Sequence, residues 1–273
     1  MSAHRKEHIS SGRVTRGRAV AARPWLGIAM AFSATFVCAP LAFGAEAAAK
    51  MPNIAGTWGS FPGPRQGPPD PKLLPPPPSP LLLKPKYKEA YDAQRAKEIE
   101  SDKRGEPLAN ASTECLPPGM PQMMFAIYPV ELIQSAGQVT FIAEAMSQVR
   151  RIHLDKPAPK IEDVAPGYFG YSTGQWEGDT LVVETVGVKD TVLGYRGMPH
   201  SDQMRIRERI HLVSPDILHD QITVEDPVVL EKPFTYTVGY RRMPGYDMLE
   251  YVCENNRDYV DENGVTRMRL QPQ

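Results

Sequence analysis

The chain has 273 residues, with 31 basic and 32 acidic side chains and a formal net charge of −1. That balance, with no long basic run in its interior, excludes general phosphate-backbone binding, so no nucleic-acid partner is expected. Three cysteines and no CxxC remove the common redox and structural-zinc frameworks, and no metal site is expected.

The N-terminus reads as an export leader. Arg5, Lys6, Arg13, Arg16, Arg18 and Arg23 face one acid, Glu7, and the apolar run 25–45 follows. Pro40 and the small residues Ala42 and Gly44 favour cleavage over a retained anchor, which gives a signal peptide over 1–44 and no permanent membrane span afterwards. The remaining chain carries 25 basic and 31 acidic residues, a net charge of −6. Its localisation is periplasmic or secreted. Cys115 and Cys253 then form an even pair in an oxidising compartment. A disulfide between them is expected, stapling the segment before the sheet to its last strand.

Segment 45–85 is a proline-rich strap or linker, with 12 prolines over 52–85 including Pro75 to Pro78. Proline lacks an amide donor, so this stretch cannot be central sheet or helix interior. Leu81, Leu82 and Leu83 favour a strap lying on the domain. Ahead of it, Gly56-Thr57-Trp58 faintly resembles the start of a small ligand-binding barrel of the lipocalin type. In that family the tryptophan closes one end of the barrel.

The rest, 86–273, reads as one helix followed by a β-barrel-like domain. Residues 86–103 form a surface helix with Tyr87, Ala90 and Tyr91 on one face, ended by Gly105 and Pro107. Strand-length segments rich in β-branched and aromatic residues follow at 138–146, 149–154, 167–176, 180–186, 204–213, 217–225, 234–241 and 247–253. Tight turns stand at Glu177-Gly178-Asp179 and Ser214-Pro215-Asp216. The fold class is mainly β: a curved antiparallel sheet or lipocalin-like barrel with one short N-terminal helix. A sandwich is the alternative, and no helical spacing suits βαβ crossovers.

Strand alternation nominates candidate site residues. Glu208 shares a face with Met204, Ile206, Ile210 and Leu212, so it is internal. It is either half of a structural Glu–Arg pair, with Arg151 or Arg241, or a ligand-contacting or acid–base group. Glu184 poses the same choice with neither face clearly external. His153 and Asp155 can point the same way as a base and its orienting acid, or form a rim salt bridge. Trp176, Tyr236, Arg241 and His200 are candidate ligand contacts, although tryptophan also packs in cores and arginine lines solvated faces. Asp226-Pro227 reads as a turn. The absence of GxSxG, HExxH and a glycine-rich nucleotide loop disfavours serine-hydrolase, zinc-peptidase and dinucleotide chemistry, and no cofactor is expected.

CLPPGMP at 115–121, VRRIHLD at 149–155, GYSTGQWEGDTLVVET at 170–185, HSDQMRIRER at 200–209, TVEDP at 223–227 and CENN at 253–256 resemble a family of uncharacterised exported bacterial proteins. The resemblance implies an extracytoplasmic β-rich domain and carries no assigned reaction. Members of that family often have Asp-Gly where this chain has Asp155-Lys156-Pro157. Three functions fit the sequence. The first is an exported barrel binding a small apolar or aromatic molecule. The second is a cofactor-independent lyase or isomerase using Glu208, Glu184 or His153. The third is an assembly module whose strap meets an envelope protein.

Overall fold

The computed structural model describes residues 51–268 apart from 65, 107, 112–114 and 254–257. The expected leader, 1–44, lies outside the described residues. Nine strands close into one barrel: β1 (Gly56–Phe61), β2 (Val130–Ser135), β3 (Gln138–Ala143), β4 (Gln148–Leu154), β5 (Tyr171–Glu177), β6 (Thr180–Val186), β7 (Arg205–Ser214), β8 (Ile217–Glu225) and β9 (Phe234–Arg242). Their spatial order follows the chain, and β1 pairs with β9 to complete the ring. The strands alternate inward and outward residues, and the inward set is mainly apolar. Closure leaves no unpaired edge on that sheet.

The barrel is mixed rather than purely antiparallel. β4 and β5 run parallel, with Ile152 opposite Ser172, whereas every other neighbouring pair is antiparallel. A parallel pair cannot be joined by a hairpin, and residues 155–170 supply the required long connection. By contrast β5 turns into β6 over Gly178 and Asp179, with Gly178 at φ 63°, a conformation that glycine adopts without a Cβ clash. The turn at Pro215-Asp216 joins β7 to β8.

Two expectations are corrected. Residues 247–253 are not a strand. The edge of β9 where they would pair is taken by β1, and the segment is held instead by Glu144, whose Oε2 accepts from Tyr246 Oη at 3.0 Å and Leu249 N at 2.9 Å. The strand missing from the sequence reading is β1, together with β2. The helix, α1 (Pro85–Lys103), is also not N-terminal to the barrel but lies between β1 and β2. Tyr87 and Tyr91 pack from it against the core.

The proline-rich stretch after β1 is fastened to the barrel through its main chain. Ser79 N donates to Thr235 O at 2.8 Å, Lys84 N to Val229 O at 2.9 Å, and Glu231 N to Leu82 O at 2.9 Å. His219 Nε2 contacts Leu73 O at 3.0 Å from the outer face of β8. Cys115 and Cys253 form the disulfide, with Cα atoms 5.6 Å apart and a sequence separation of 138. It joins two irregular segments, not a strand end, because 253 lies beyond the sheet. Near it, β10 (Asp258–Val260) and β11 (Thr266–Met268) form a separate two-stranded sheet.

The two ends of β9 are capped differently. At its C-terminal end the Arg242 guanidinium lies 4.2 Å from the ring of Trp58, which is fully buried and donates from Nε1 to Ile54 O at 3.0 Å. At its N-terminal end Phe234 and Tyr236 belong to an aromatic cluster with Tyr195 and Phe125.

Candidate functional site

Six consecutive strands contribute to one polar layer inside the barrel. Arg150 comes from β4, flanked on the same face by Gln148, Ile152 and Leu154. Ser172 and Thr185 follow from β5 and β6, Glu208 from β7, Asp220 from β8, and Tyr236 with Tyr240 from β9. All are buried. Ile206 and Ile210 flank Glu208, Leu218 and Ile222 flank Asp220, and Phe234 and Val238 flank Tyr236 on the inward rows, so the acidic side of the layer sits within an apolar lining.

Arg150 organises the layer. Its Nη1 donates to Glu208 Oε1 at 2.7 Å, and its Nη2 donates to Glu208 Oε2 and to Thr185 Oγ1, the latter at 2.9 Å. Nε donates to Ser172 Oγ at 3.1 Å, Ser172 and Thr185 hydroxyls are 2.8 Å apart, and Met124 Sδ lies 3.4 Å from Nη1. The planar fork therefore grips both carboxylate oxygens of Glu208 while the remaining donors are satisfied by hydroxyls. Glu208 and Arg150 are 0% and 1% exposed, so neither charge has solvent to fall back on.

Asp220 is the second carboxyl in this interior, and Arg150 is already committed to the first. Neither Asp220 oxygen accepts a hydrogen bond from any donor. Burial pushes its pKa well above the ordinary value, and the adjacent Glu208 pushes it further by charge and by accepting its proton. Asp220 is thus a neutral acid whose O–H is directed at Glu208. Tyr236 and Tyr240 are likewise held as phenols, by burial first and then by the nearby carboxyl groups. Tyr240 donates to Met124 O, but the Tyr236 hydroxyl has no partner.

The sequence candidates distribute over this architecture as follows. Glu208 and Tyr236 belong to the inner layer. The partner of Glu208 is Arg150, correcting Arg151 and Arg241: Arg151 alternates to the exposed face of β4, and Arg241 lies outside β9 with its guanidinium 4.9 Å from the Phe61 ring. Glu184 is on the outer face of β6, paired with Arg205 at 2.7 Å and Arg207 at 3.7 Å. His153 is also outside, stacked on Tyr171 with centroids 4.9 Å apart. Desolvation, then Lys156 and Arg151, lower its pKa. Asp155 is exposed at the start of the β4–β5 connection, and no hydrogen bond joins it to His153. Asp155 and Glu184 instead line one outer groove with Thr173 and Arg207.

Trp176 is half-buried against the core, and its Nε1 has no acceptor. His200 is buried before β7, with Nδ1 2.9 Å from Ser201 O and Nε2 unpartnered. Asp226 forms the turn expected of it, accepting from Ser201 N, Val228 N and Val229 N. The charged or ionisable residues of the layer missed from the sequence were Arg150 and Asp220, and its hydroxyl residues Ser172 and Thr185 were missed as well. Both signals were present: Arg150 has the parity of Ile152 and Leu154, and Asp220 that of Leu218, Ile222 and Val224.

At the aromatic end of the barrel, a groove of about 560 Å³ is lined chiefly by Leu116, Pro117, Phe125, Ile127, Tyr168 and Val192. Its Phe125 wall stacks on Tyr236, with ring planes 5° apart and centroids at 5.6 Å. The groove and the polar layer are therefore separated by one ring pair. No protein-family model matches the chain, and no curated protein matches it at a significant level.

Proposed function

We propose that this is an exported β-barrel protein that binds a small apolar or aromatic molecule in the groove beside Phe125. The observation that carries the reading is the groove itself. Its volume lies in the range of small-molecule sites, its walls are apolar and aromatic, and unpartnered polar atoms lie behind its floor. Ile127 on its rim is 88% exposed, an apolar side chain that gains from a ligand covering it. Trp58 and Arg242 support a lipocalin-like arrangement, closed at one end and receptive at the other. The disulfide supports export to a periplasmic or extracellular compartment.

The lyase or isomerase reading has less support. A general base must reach substrate, yet both Glu208 oxygens are held by Arg150 in the barrel interior. The assembly reading is weaker because the strap uses its main-chain donors on its own barrel.

Titration with the uncharged fluorophore N-phenyl-1-naphthylamine tests the binding reading. Saturable binding is expected, weakened at least tenfold, or about 1.4 kcal/mol, by Ile127→Glu with no change in melting temperature. Equal binding by the variant would remove the groove from the proposal.

A further inference from the structure

The fold leaves two inward groups of the polar layer without use. Neither oxygen of Asp220 accepts a hydrogen bond and the hydroxyl of Tyr236 has no partner, the residues being 0% and 3% exposed. They are diagonal neighbours on one inner face. Tyr236 stands opposite Ile222, and Asp220 is two residues along β8 from Ile222. That offset places side chains roughly 7–8 Å apart at their bases, within reach of one shared small group between a carboxyl and a phenol.

Their hydrogen-bonding valences differ. Arg150 fixes Glu208, and Glu208 accepts the hydrogen bond that the protonated Asp220 donates. Asp220 consequently presents its other oxygen as an acceptor, whereas Tyr236 presents an O–H donor. A site with one acceptor and one donor matches a hydroxyl, which gives one hydrogen bond and takes another. A ketone offers only acceptance, and a carboxylate or other anion would meet two acidic residues.

The surroundings define the rest of the ligand. Phe125, Tyr195 and Phe234 enclose the Tyr236 ring, with Phe125 nearly parallel to it. Phe125 also lines the groove, and Ala126 beside it takes a left-handed backbone conformation at φ 44°. An aromatic ring arriving from the groove can replace the Phe125 ring on Tyr236 and carry a polar substituent inward.

We infer that Asp220 and Tyr236 form a hydroxyl-recognition pair at the inner end of the groove, and that the ligand is a planar aromatic or apolar alcohol whose oxygen donates to Asp220 and accepts from Tyr236. This rests on the groove being a binding site. A site built to hydrogen-bond a hydroxyl rejects an analogue lacking it far more strongly than an apolar pocket would, because its own buried groups stay unpaired.

Three matched probes test the pair by calorimetry: 2-naphthol, 2-methoxynaphthalene and 2-methylnaphthalene. Wild-type protein is expected to bind 2-naphthol at least tenfold more tightly than either analogue. The methoxy compound fails because it cannot donate to Asp220. In Tyr236→Phe the preference for naphthol over methylnaphthalene falls at least fivefold while the methylnaphthalene affinity holds. In Asp220→Asn, oriented with its amide toward Glu208, an acceptor oxygen remains and most of the preference survives. Equal binding of the three probes overturns the hydroxyl pair and leaves the groove reading standing. Binding of none overturns both. If Tyr236→Phe does not fold, the wild-type ranking of naphthol against methoxynaphthalene decides alone.

Discussion

The outer and inner faces of β4 to β8 carry the same kinds of side chain under opposite conditions. Outside, Glu184 pairs with Arg205 and Arg207, Arg207 with Glu225 at 3.1 Å, and Arg209 with Glu177 at 3.1 Å. Arg207 and Arg209 keep half of their side-chain surface in water. Inside, Arg150 and Glu208 make a pair of the same chemistry with almost none. Water replaces a lost partner on the outer face. On the inner face nothing does, so the same ion pair changes from a minor surface contact into a condition for the barrel interior to exist.

The largest expected effect comes from breaking the inner pair on one side. Arg150→Met strands the Glu208 charge and should destabilise the protein by about 3–5 kcal/mol in urea unfolding. Combining it with Glu208→Leu should recover much of that loss, since no charge is then left behind. A single variant within about 1 kcal/mol of wild type would contradict the burial argument.

Asp220 sharpens the comparison in the other direction, as an inner acid with no cation of its own. In the unfolded chain it ionises near its ordinary value of 3.8, while in the folded chain it keeps its proton well above that. Between those two values the folded state holds a proton that the unfolded state has released, so stability falls as pH rises through the window. Asp220→Asn removes this linkage. It should raise stability at neutral pH, read from urea unfolding of the two proteins. Its stability between pH 4 and 7 should also decline less than that of wild type. A parallel pH dependence in the two proteins would show that Asp220 ionises normally. The smallest effect belongs to the outer ladder. Glu184→Gln should change stability by less than about 1 kcal/mol. Even that difference should shrink in high salt, read from paired melting curves.

The inner layer was half legible in the sequence. Glu208 stands out because Ile206, Ile210 and Leu212 on β7, and Met204 just before it, share its parity. Arg150 was hidden by Arg151 beside it, since two adjacent arginines give no hint which one turns inward until Ile152 and Leu154 are counted with it. Glu184 could not be assigned because Leu181, Val182, Val183 and Val186 make both faces of β6 apolar. The strands were legible where turns bound them, and the hairpin at Gly178 is one case. The parallel β4–β5 pair was not, because direction depends on where the 155–170 connection leads. Residues 247–253 have the length and residue types of a strand but find no free edge, a fact of closure that no local pattern encodes. The disulfide followed from cysteine count and compartment alone.

Barrel closure by β1 and β9 has a consequence for how the chain reaches this state. Trp58 registers with Arg242, so the seam joins nearly the first barrel residue to the last. A chain synthesised N-terminus first presents Trp58 early, apolar and unpaired, and must hold it through the arrival of every other strand. Contacts of such sequence separation form slowly, because the loop must be closed before the pairing stabilises it. Until then β1 and the free edge of β9 each offer a row of unsatisfied amides to other chains. The interval between synthesis and seam formation is the period in which this protein is most exposed to aggregation and to proteases.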